Sequence, residues 1–213
     1  MLVRVERVRI TNDIPTDALI EAHIEEVSSQ INAEMHKICG YFDCEIEARF
    51  EKMRYEETNC ANFVSDLILS EFDERPYGDH CDLALLNTGT LRSNSIIPVG
   101  DVTVGMMNEL LPMPDKVILM RVSGDIILSM LENSVSMWPA HDGRFACMSG
   151  LKFSFDPDYP AGSRVHSVVN LDGQPFDFSR DAKYNIAVKE YIALGRDGYD
   201  ALRDPANEWL VDS

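Results

Sequence analysis

A short loop that combines neutral and cationic hydrogen-bond donors follows one of the most apolar segments of the chain. Residues 82–93 read DLALLNTGTLRS, so an apolar run is followed within a few residues by Asn87, Gly89 and Arg92. In α/β proteins, ligand-binding groups usually lie in the loops at strand ends. This loop contains an amide, hydroxyls and a guanidinium but no carboxylate, and its composition predicts that it binds an anion.

The overall charge makes each cationic residue near this loop informative. The chain has 213 residues and a formal net charge of -17. Binding to a nucleic-acid backbone requires clustered Lys and Arg, so this composition argues against a nucleic-acid-binding protein. No apolar run approaches the roughly 20 residues of a membrane span. An anionic ligand would have to be bound by locally placed cations, against the field of the whole protein.

The apolar periodicity predicts an α/β (α+β) domain with a mixed β-sheet flanked by helices and preceded by a long helix. Apolar residues recur every three or four positions from Ile20 to Met35, which is typical of an amphipathic helix. Strands and helices intermix without a strict βαβ repeat. The predicted strands cover residues 2–10, 45–55, 82–87, 116–122, 145–155, 164–171 and 183–188, and the last of them is expected to close the sheet. The predicted helices cover residues 16–39, 58–72, 102–111 and 123–135.

The cysteines show no pattern of a disulfide-rich protein. There are five of them, an odd number, and none forms a Cys-x-x-Cys pair. This usage argues against a disulfide framework. A single disulfide between Cys39 and Cys44 is the alternative.

Several segments, taken together and in this order, resemble the C-terminal, substrate-binding domain of the 5'-nucleotidase and UDP-sugar hydrolase group of metallophosphoesterases. Each motif is weak alone, but the ordered combination is specific. The segments are ETNCANFVSD, DLALLNTGTLRS, ELLPMPDKVILMRVSGDIILSMLENSV, GRFACMSGLKFSFDP, PAGSRVHSV and YIALGRDGYDAL. They cover about residues 54–202.

The resemblance implies that three residues contact the phosphate of a substrate. At the matching positions of the family, an arginine upstream of a helix and the Asn and Arg of a strand-end loop contact phosphate. These positions are Arg54, Asn87 and Arg92 here. Physical chemistry agrees, because a guanidinium can donate two hydrogen bonds to phosphate oxygens. A surface ion pair with the nearby glutamates is the alternative for Arg54.

The resemblance also assigns the sugar and the base. Two aromatic rings enclose the base in such nucleotidases, and an aspartate accepts from the ribose hydroxyls. The matching positions are Met113, Tyr191 and Asp197. The partner implied is therefore a nucleotide or a sugar phosphate.

Five further positions are expected to be structural. Asn62 and Asp66 lie four residues apart on one helix face and are expected to hydrogen-bond nearby loop backbone. Gly89, Gly195 and Gly198 are expected to shape the loops that contain Asn87 and Asp197.

Departures from the family pattern leave the substrate open. Met113 stands where the family has one of the two stacking aromatic residues. A methionine against a ring contributes about 0.3–1.5 kcal/mol, compared with about 1–3 kcal/mol for a base stacked on an aromatic ring. Arg196 stands where the family has a glycine, next to Asp197. A non-nucleotide sugar phosphate, with Arg196 contacting a second anionic group, is therefore an alternative to a nucleotide.

The catalytic residues of the family are not expected in this chain. In the family, two divalent metal ions and a His-Asp dyad belong to a separate N-terminal metallophosphoesterase domain, and its motifs do not occur in residues 1–213. His80 and His141, each near an aspartate, lack the second pair of ligands that a metal site needs. We therefore expect residues 1–44 to be the end of a catalytic domain plus a linker helix, and residues 45–213 to be a substrate-binding domain that is inactive alone and holds no cofactor. A noncatalytic binding or interaction module with the same fold is the alternative.

Overall fold

A computed structural model describes residues 7, 9, 11, 14–74 and 80–212. The strand predicted at residues 2–10 lies almost entirely outside the described residues. The other elements confirm an α/β (α+β) fold with a mixed sheet flanked by helices.

A five-stranded sheet forms the centre of the fold. Its strands are β3 (Leu83–Asn87), β6 (Val117–Ser123), β7 (Ala146–Ser149), β10 (Lys183–Lys189) and β11 (Glu208–Asp212), in the order β11-β6-β10-β3-β7. Strands β3 and β10 are parallel, and the other pairs are antiparallel. The prediction that residues 183–188 close the sheet is wrong, since β10 lies in its middle and β11, which was not predicted, forms one edge.

Helices cover both faces of this sheet. In β3, Leu83 and Leu85 pack in one core cluster with Ile127 of α5 (Gly124–Val135), whereas Ala84 packs in another with Phe72 of α3 (Asn59–Asp73). This alternation explains why β3 is apolar throughout, because a strand buried on both faces has no solvent side. Helix α3 begins where the sequence predicts, since the Thr58 hydroxyl accepts from the backbone N–H of Ala61.

Smaller elements surround the main sheet. Strand pairs are β1 (Ile38–Phe42) with β5 (Gly100–Thr103), β2 (Ile46–Glu47) with β4 (Ile96–Ile97), and β8 (Leu151–Phe155) with β9 (Val165–Asn170). The remaining helices are α1 (Ala18–Met35), α2 (Phe50–Met53), α4 (Val104–Leu110) and α6 (Glu190–Ala193).

Several predicted boundaries are wrong for local reasons. The strand predicted over residues 45–55 is the two-residue β2 followed by α2, because Arg49 turns the chain as the N-cap of α2. The strand predicted over residues 145–155 is divided at Gly150, which has a φ of 94° that favours glycine. The helix predicted to reach residue 39 ends at Met35, and β1 follows.

Most of the apolar stripe of helix α1 is not covered by the described residues, whereas Met35 at its end contacts α4. It begins after Asp17, whose carboxylate accepts from the backbone N–H groups of Leu19 and Ile20. Ile20, Ile24 and Ile31 are all about half exposed. None of the helices among the described residues is both long and apolar enough to cross a membrane.

The cysteines divide into two exposed and three buried thiols. None of the five forms a disulfide, so Cys39 and Cys44, both of which are exposed, are not bridged. Cys60, Cys81 and Cys147 are buried. Burial raises the pKa of Cys60 and that of Cys147 to about 12. Their thiolate forms are therefore scarce at neutral pH.

We expect a thiol reagent at pH 8 to modify two cysteines rapidly in the native protein and all five after unfolding in guanidinium. The variant with Cys39→Ser and Cys44→Ser serves as the control, and it should show no rapid phase. Rapid modification of Cys60 or Cys147 in the native chain would contradict the burial described here.

Candidate functional site

One cleft brings together all six residues to which the sequence assigns substrate contacts. Its volume is about 410 Å³. The six are Arg54, Asn87, Arg92, Met113, Tyr191 and Asp197. The cleft is also lined by Gly89, Thr90, Asp115, Asp142, Gly143 and Lys189.

The cleft lies at one edge of the central sheet because of strand direction. Strands β3 and β10 are parallel, so their last residues, Asn87 and Lys189, lie at the same edge. Strand β6 is antiparallel to β10 and pairs Val117 with Lys189, which places the preceding loop with Met113 at this edge too. Loops at the carboxyl ends of parallel strands are the usual ligand sites of α/β sheets.

Arg54 and Arg92 face the cleft as two neighbouring positive charges. Arg54 is the C-cap of α2, and its guanidinium carbon lies 4.0 Å from the centre of the Phe50 ring. Burial and the charge of Arg92 lower the pKa of Arg54. The Nε of Arg54 is buried without a hydrogen-bond partner. Within the described part of the chain, neither arginine forms an ion pair.

The glutamates around Arg54 have other partners. Glu47 pairs with Arg49, Glu56 with Lys52 at 2.7 Å, and Glu57 accepts from Asn62. The surface ion pair considered as the alternative for Arg54 is therefore not observed.

Asp142 interacts electrostatically with Arg54, but its carboxylate is hydrogen-bonded to another residue. Burial by itself raises the pKa of Asp142. The hydrogen bonds from the Arg144 backbone and guanidinium lower it, as do the charges of Arg144 and Arg54. These effects outweigh burial, and the pKa lies below its ordinary value. The Arg144 Nε donates to Asp142 Oδ1 at 3.1 Å. Asp142 thus reduces the local positive charge without hydrogen-bonding to Arg54.

Asp197 presents its carboxylate from a strained turn. Its φ is 53°, in the left-handed region, and Gly195 and Gly198 on either side have φ of 80°. Asn133 Nδ2 donates to the Asp197 backbone oxygen at 3.0 Å and fixes the turn. A non-glycine residue in this conformation costs free energy and often marks a functional site.

The Asp197 carboxylate joins the two ends of the cleft. Its Oδ2 accepts from Asn87 Nδ2 at 2.7 Å, and its Oδ1 accepts from the Tyr191 hydroxyl at 3.0 Å. This hydrogen bond, followed by burial, raises the pKa of Tyr191. Each carboxylate oxygen retains acceptor capacity for a ligand hydroxyl.

Tyr191 and Met113 expose apolar surface at the rim. Tyr191 is 41% exposed and Met113 is 43% exposed. Met113 lies in the loop before β6, between two prolines, as the sequence predicts. Both side chains are therefore accessible to a flat apolar group.

The residues expected to be structural differ in their contacts. Asn62 donates to the Glu57 carboxylate at 2.7 Å and not to loop backbone. Asp66 is exposed, and its carboxylate forms no hydrogen bond to the described residues. Gly89 lies against Gly143, since a Cβ at Gly89 would be 3.3 Å from the Gly143 carbonyl oxygen. Only a small residue fits there without displacing backbone.

Four polar residues of the cleft were missed by the sequence analysis: Thr90, Asp115, Asp142 and Lys189. One signal was available, since Lys189 interrupts the apolar run at the end of a predicted strand, two residues before Tyr191. Thr90 lies in the same loop as Asn87 and Arg92, and its hydroxyl was noted without a specific role. Asp115 and Asp142 lie in loops whose approach to the cleft depends on strand order.

The described residues do not fit a metal centre. Within residues 14–74 and 80–212, and at 7, 9 and 11, the structure places no three His, Cys, Asp or Glu side chains together as metal ligands. His80 Nε2 lies 3.8 Å from Asp82, and His141 packs edge-on against Tyr55. No chemical step on a metal can be assigned to this part of the chain.

The unpartnered Arg54 yields a prediction on stability. Because a buried polar atom without a partner costs about 1–3 kcal/mol, and the cation–π contact with Phe50 returns about 0.5–1 kcal/mol, Arg54→Met should raise the free energy of unfolding of the ligand-free chain by about 1 kcal/mol. Urea denaturation at low salt measures this. Arg49→Met is the matched control and should not stabilise, since Arg49 pairs with Glu47 and Glu51. A clear loss of stability in Arg54→Met would show that the guanidinium has a structural role.

Comparison with known proteins identifies the family of this fold. Residues 39–204 match the family described as "5'-nucleotidase, C-terminal domain". The crystal structure of a 5'-nucleotidase precursor from Thermus thermophilus superimposes with a TM-score of 0.81 and 31% identity, over 93% of this chain and 38% of that one.

Curated relatives show the same partial coverage. The trifunctional nucleotide phosphoesterase protein YfkN of Bacillus subtilis is 24% identical over 86% of this chain and 12% of its own length. The 5'-nucleotidase of Mus musculus is 21% identical over 92% of this chain and 35% of its own. The chain thus spans 12% and 35% of these two relatives, and corresponds to one part of them. Since the family match covers most of its residues, the chain belongs to the 5'-nucleotidase C-terminal domain family.

Proposed function

We propose that this chain recognises the substrate of a 5'-nucleotidase-type phosphohydrolase, and that its cleft binds the phosphate and the sugar of a nucleotide. The observation that carries the proposal is the pair of guanidiniums at Arg54 and Arg92. They lie beside each other at the strand edge without an ion-pair partner among the described residues, in a chain of net charge -17.

The phosphate end follows from the chemistry of these groups. A phosphate between Arg54 and Arg92 would separate two like charges and accept hydrogen bonds from both guanidiniums. Hydrogen bonds between charged groups are worth about 1.5–3 kcal/mol each. Asn87 Nδ2 has a second hydrogen, besides the one donated to Asp197, that can reach the same ligand.

The sugar and base end is assigned to Asp197, Tyr191 and Met113. The Asp197 carboxylate is acceptor-only when ionised and suits a vicinal diol. Tyr191 and Met113 offer apolar surface on which a base can pack. A phosphate at one end and a diol with a flat ring at the other describe a nucleoside monophosphate.

We assign hydrolysis itself to another domain of a longer protein. The described residues hold no cluster of metal ligands, and the relatives are several times longer than the match. In this proposal an N-terminal metallophosphoesterase domain binds two divalent metal ions and activates water, and residues 1–44 connect it to the cleft. The exposed stripe of α1 fits a surface that such a domain would contact.

A sugar phosphate is the second candidate, and Met113 is the observation that favours it. A rim formed by one methionine and one tyrosine stacks a base less strongly than two aromatic rings do. If a sugar phosphate is the substrate, ribose 5-phosphate should bind this chain nearly as tightly as adenosine 5'-monophosphate.

Calorimetry on this chain tests the proposal. Adenosine 5'-monophosphate should bind, and Arg92→Met should weaken that binding at least tenfold, because it removes a charge-assisted contact of about 1.5–3 kcal/mol. Arg54→Met should have a similar effect. Arg180→Met is the matched control, since Arg180 is exposed, pairs with Asp125 and does not line the cleft; it should change the affinity less than about twofold.

Two results would contradict the proposal. One is binding that is unchanged in Arg92→Met and Arg54→Met. The other is the absence of binding at millimolar concentrations of the nucleotide, of ribose 5-phosphate and of inorganic phosphate alike, which would favour a noncatalytic module.

A further inference from the structure

The cleft contains a buried lysine that the proposed function does not use. Lys189 ends β10 and is 4% exposed. Its Nζ lies 2.5 Å from Asp115 Oδ2 and donates to Thr90 Oγ1 at 3.0 Å. A buried ammonium is costly unless it is paired and hydrogen-bonded, and here it is both.

Thr90 continues the hydrogen bonding toward the binding residues. Its hydroxyl donates to Asn87 Oδ1 at 2.9 Å. Asn87 Nδ2 donates to Asp197 Oδ2 at 2.7 Å, and the Tyr191 hydroxyl donates to Asp197 Oδ1 at 3.0 Å. An unbroken chain of hydrogen bonds therefore runs from Lys189 to Tyr191 through the floor of the cleft.

The chemistry of the two charged groups fixes the direction of every bond. An ammonium can only donate, and an ionised carboxylate can only accept. Because Thr90 accepts from Lys189, its single proton is available for Asn87 Oδ1. A reversed Asn87 amide would place its oxygen against the Asp197 carboxylate and would leave the Thr90 proton without that acceptor. One amide orientation is therefore stabilised from both sides.

We propose that Lys189 is a positioning residue for ligand binding: through Thr90 it fixes the Asn87 amide, and through Asn87 it holds Asp197 and Tyr191. This inference rests on the proposed function, which makes those three residues ligand contacts, and it adds how they are held. Lys189 acts without contacting the ligand. Its effect is preorganisation, since the groups are oriented before the ligand arrives.

Thr90→Val tests the relay with little change of shape. The readout in the ligand-free chain is solvent exchange of the Asn87 side-chain amide protons by NMR, with the signals identified by their loss in Asn87→Asp. Exchange in Thr90→Val should be at least several-fold faster, and binding of adenosine 5'-monophosphate should weaken about three- to tenfold, the range expected for one hydrogen bond. Thr90→Ser keeps the hydroxyl and should restore both.

Thr88→Val is the matched control. Thr88 is buried in the same loop, and its hydroxyl contacts the Gly143 carbonyl oxygen at 3.4 Å, outside the chain of hydrogen bonds. This variant should leave the exchange of the Asn87 amide within about twofold of the wild type. A general loosening of the loop would instead accelerate exchange equally in Thr88→Val and Thr90→Val, and that result would overturn the inference.

A second variant removes the lysine itself. Lys189→Met combined with Asp115→Asn avoids leaving a bare carboxylate in the cleft, and it should reproduce the effects of Thr90→Val. Adding Thr90→Val to that pair should cause little further loss, because the three residues act through one path. Weaker nucleotide binding in the lysine variant but not in Thr90→Val would overturn the inference and indicate that Lys189 contacts the ligand directly.

The two proposals can fail separately. If the wild-type chain binds no nucleotide, the proposed function fails, and the exchange of the Asn87 amide protons still decides whether Lys189 orients that amide. Unchanged exchange in Thr90→Val overturns the inference whatever the affinity. Faster exchange with unchanged nucleotide affinity also overturns it, since positioning would then have no effect on binding.

Discussion

The repulsion between Arg54 and Arg92 is the constraint on which the rest of the site depends. A chain with a net charge of -17 has many carboxylates available, yet those around Arg54 pair with Arg49, Lys52 or Asn62. Two neighbouring guanidiniums that form no ion pair with the described residues cost stability in the free protein. Such an arrangement is expected where a ligand supplies the missing negative charge, because function often requires groups that are locally unfavourable.

The fold brings these charges to one edge of the sheet. Parallel pairing of β3 with β10 places Asn87 beside Lys189, and the loops before β6 and β7 add Met113 and Asp142. The strands that carry these residues are buried, and a chain of hydrogen bonds that runs from Lys189 through Thr90, Asn87 and Asp197 to Tyr191 links the side chains at their ends. Rigid strands that support oriented loop residues are the usual arrangement of binding sites in α/β proteins.

The sequence grouped the residues of the cleft better than it predicted the element boundaries. The six residues assigned from the motif order all line one cleft, because each motif lies at a strand end or in a turn. The strand predicted at residues 45–55 was wrong, because the pattern of apolar and polar residues over a short segment does not distinguish a strand from a short helix. Strand β11 was missed, and β10 was placed at the edge, because strand order is set by long-range pairing that local patterns do not encode.

Lys189 shows the same limit at the level of a single side chain. Its position after an apolar strand was visible in the sequence, but its partners Asp115 and Thr90 are 74 and 99 residues away. Only the sheet topology brings them together. Polar networks of this kind are specified by the tertiary structure, and they determine how well a recognisable motif is oriented.

A crystal structure of this chain with adenosine 5'-monophosphate is the most direct measurement of the central claim. The phosphate should lie within hydrogen-bonding distance of the guanidiniums of both Arg54 and Arg92. A phosphate bound elsewhere, or Arg54 and Arg92 paired with carboxylates of the chain in the complex, would contradict it.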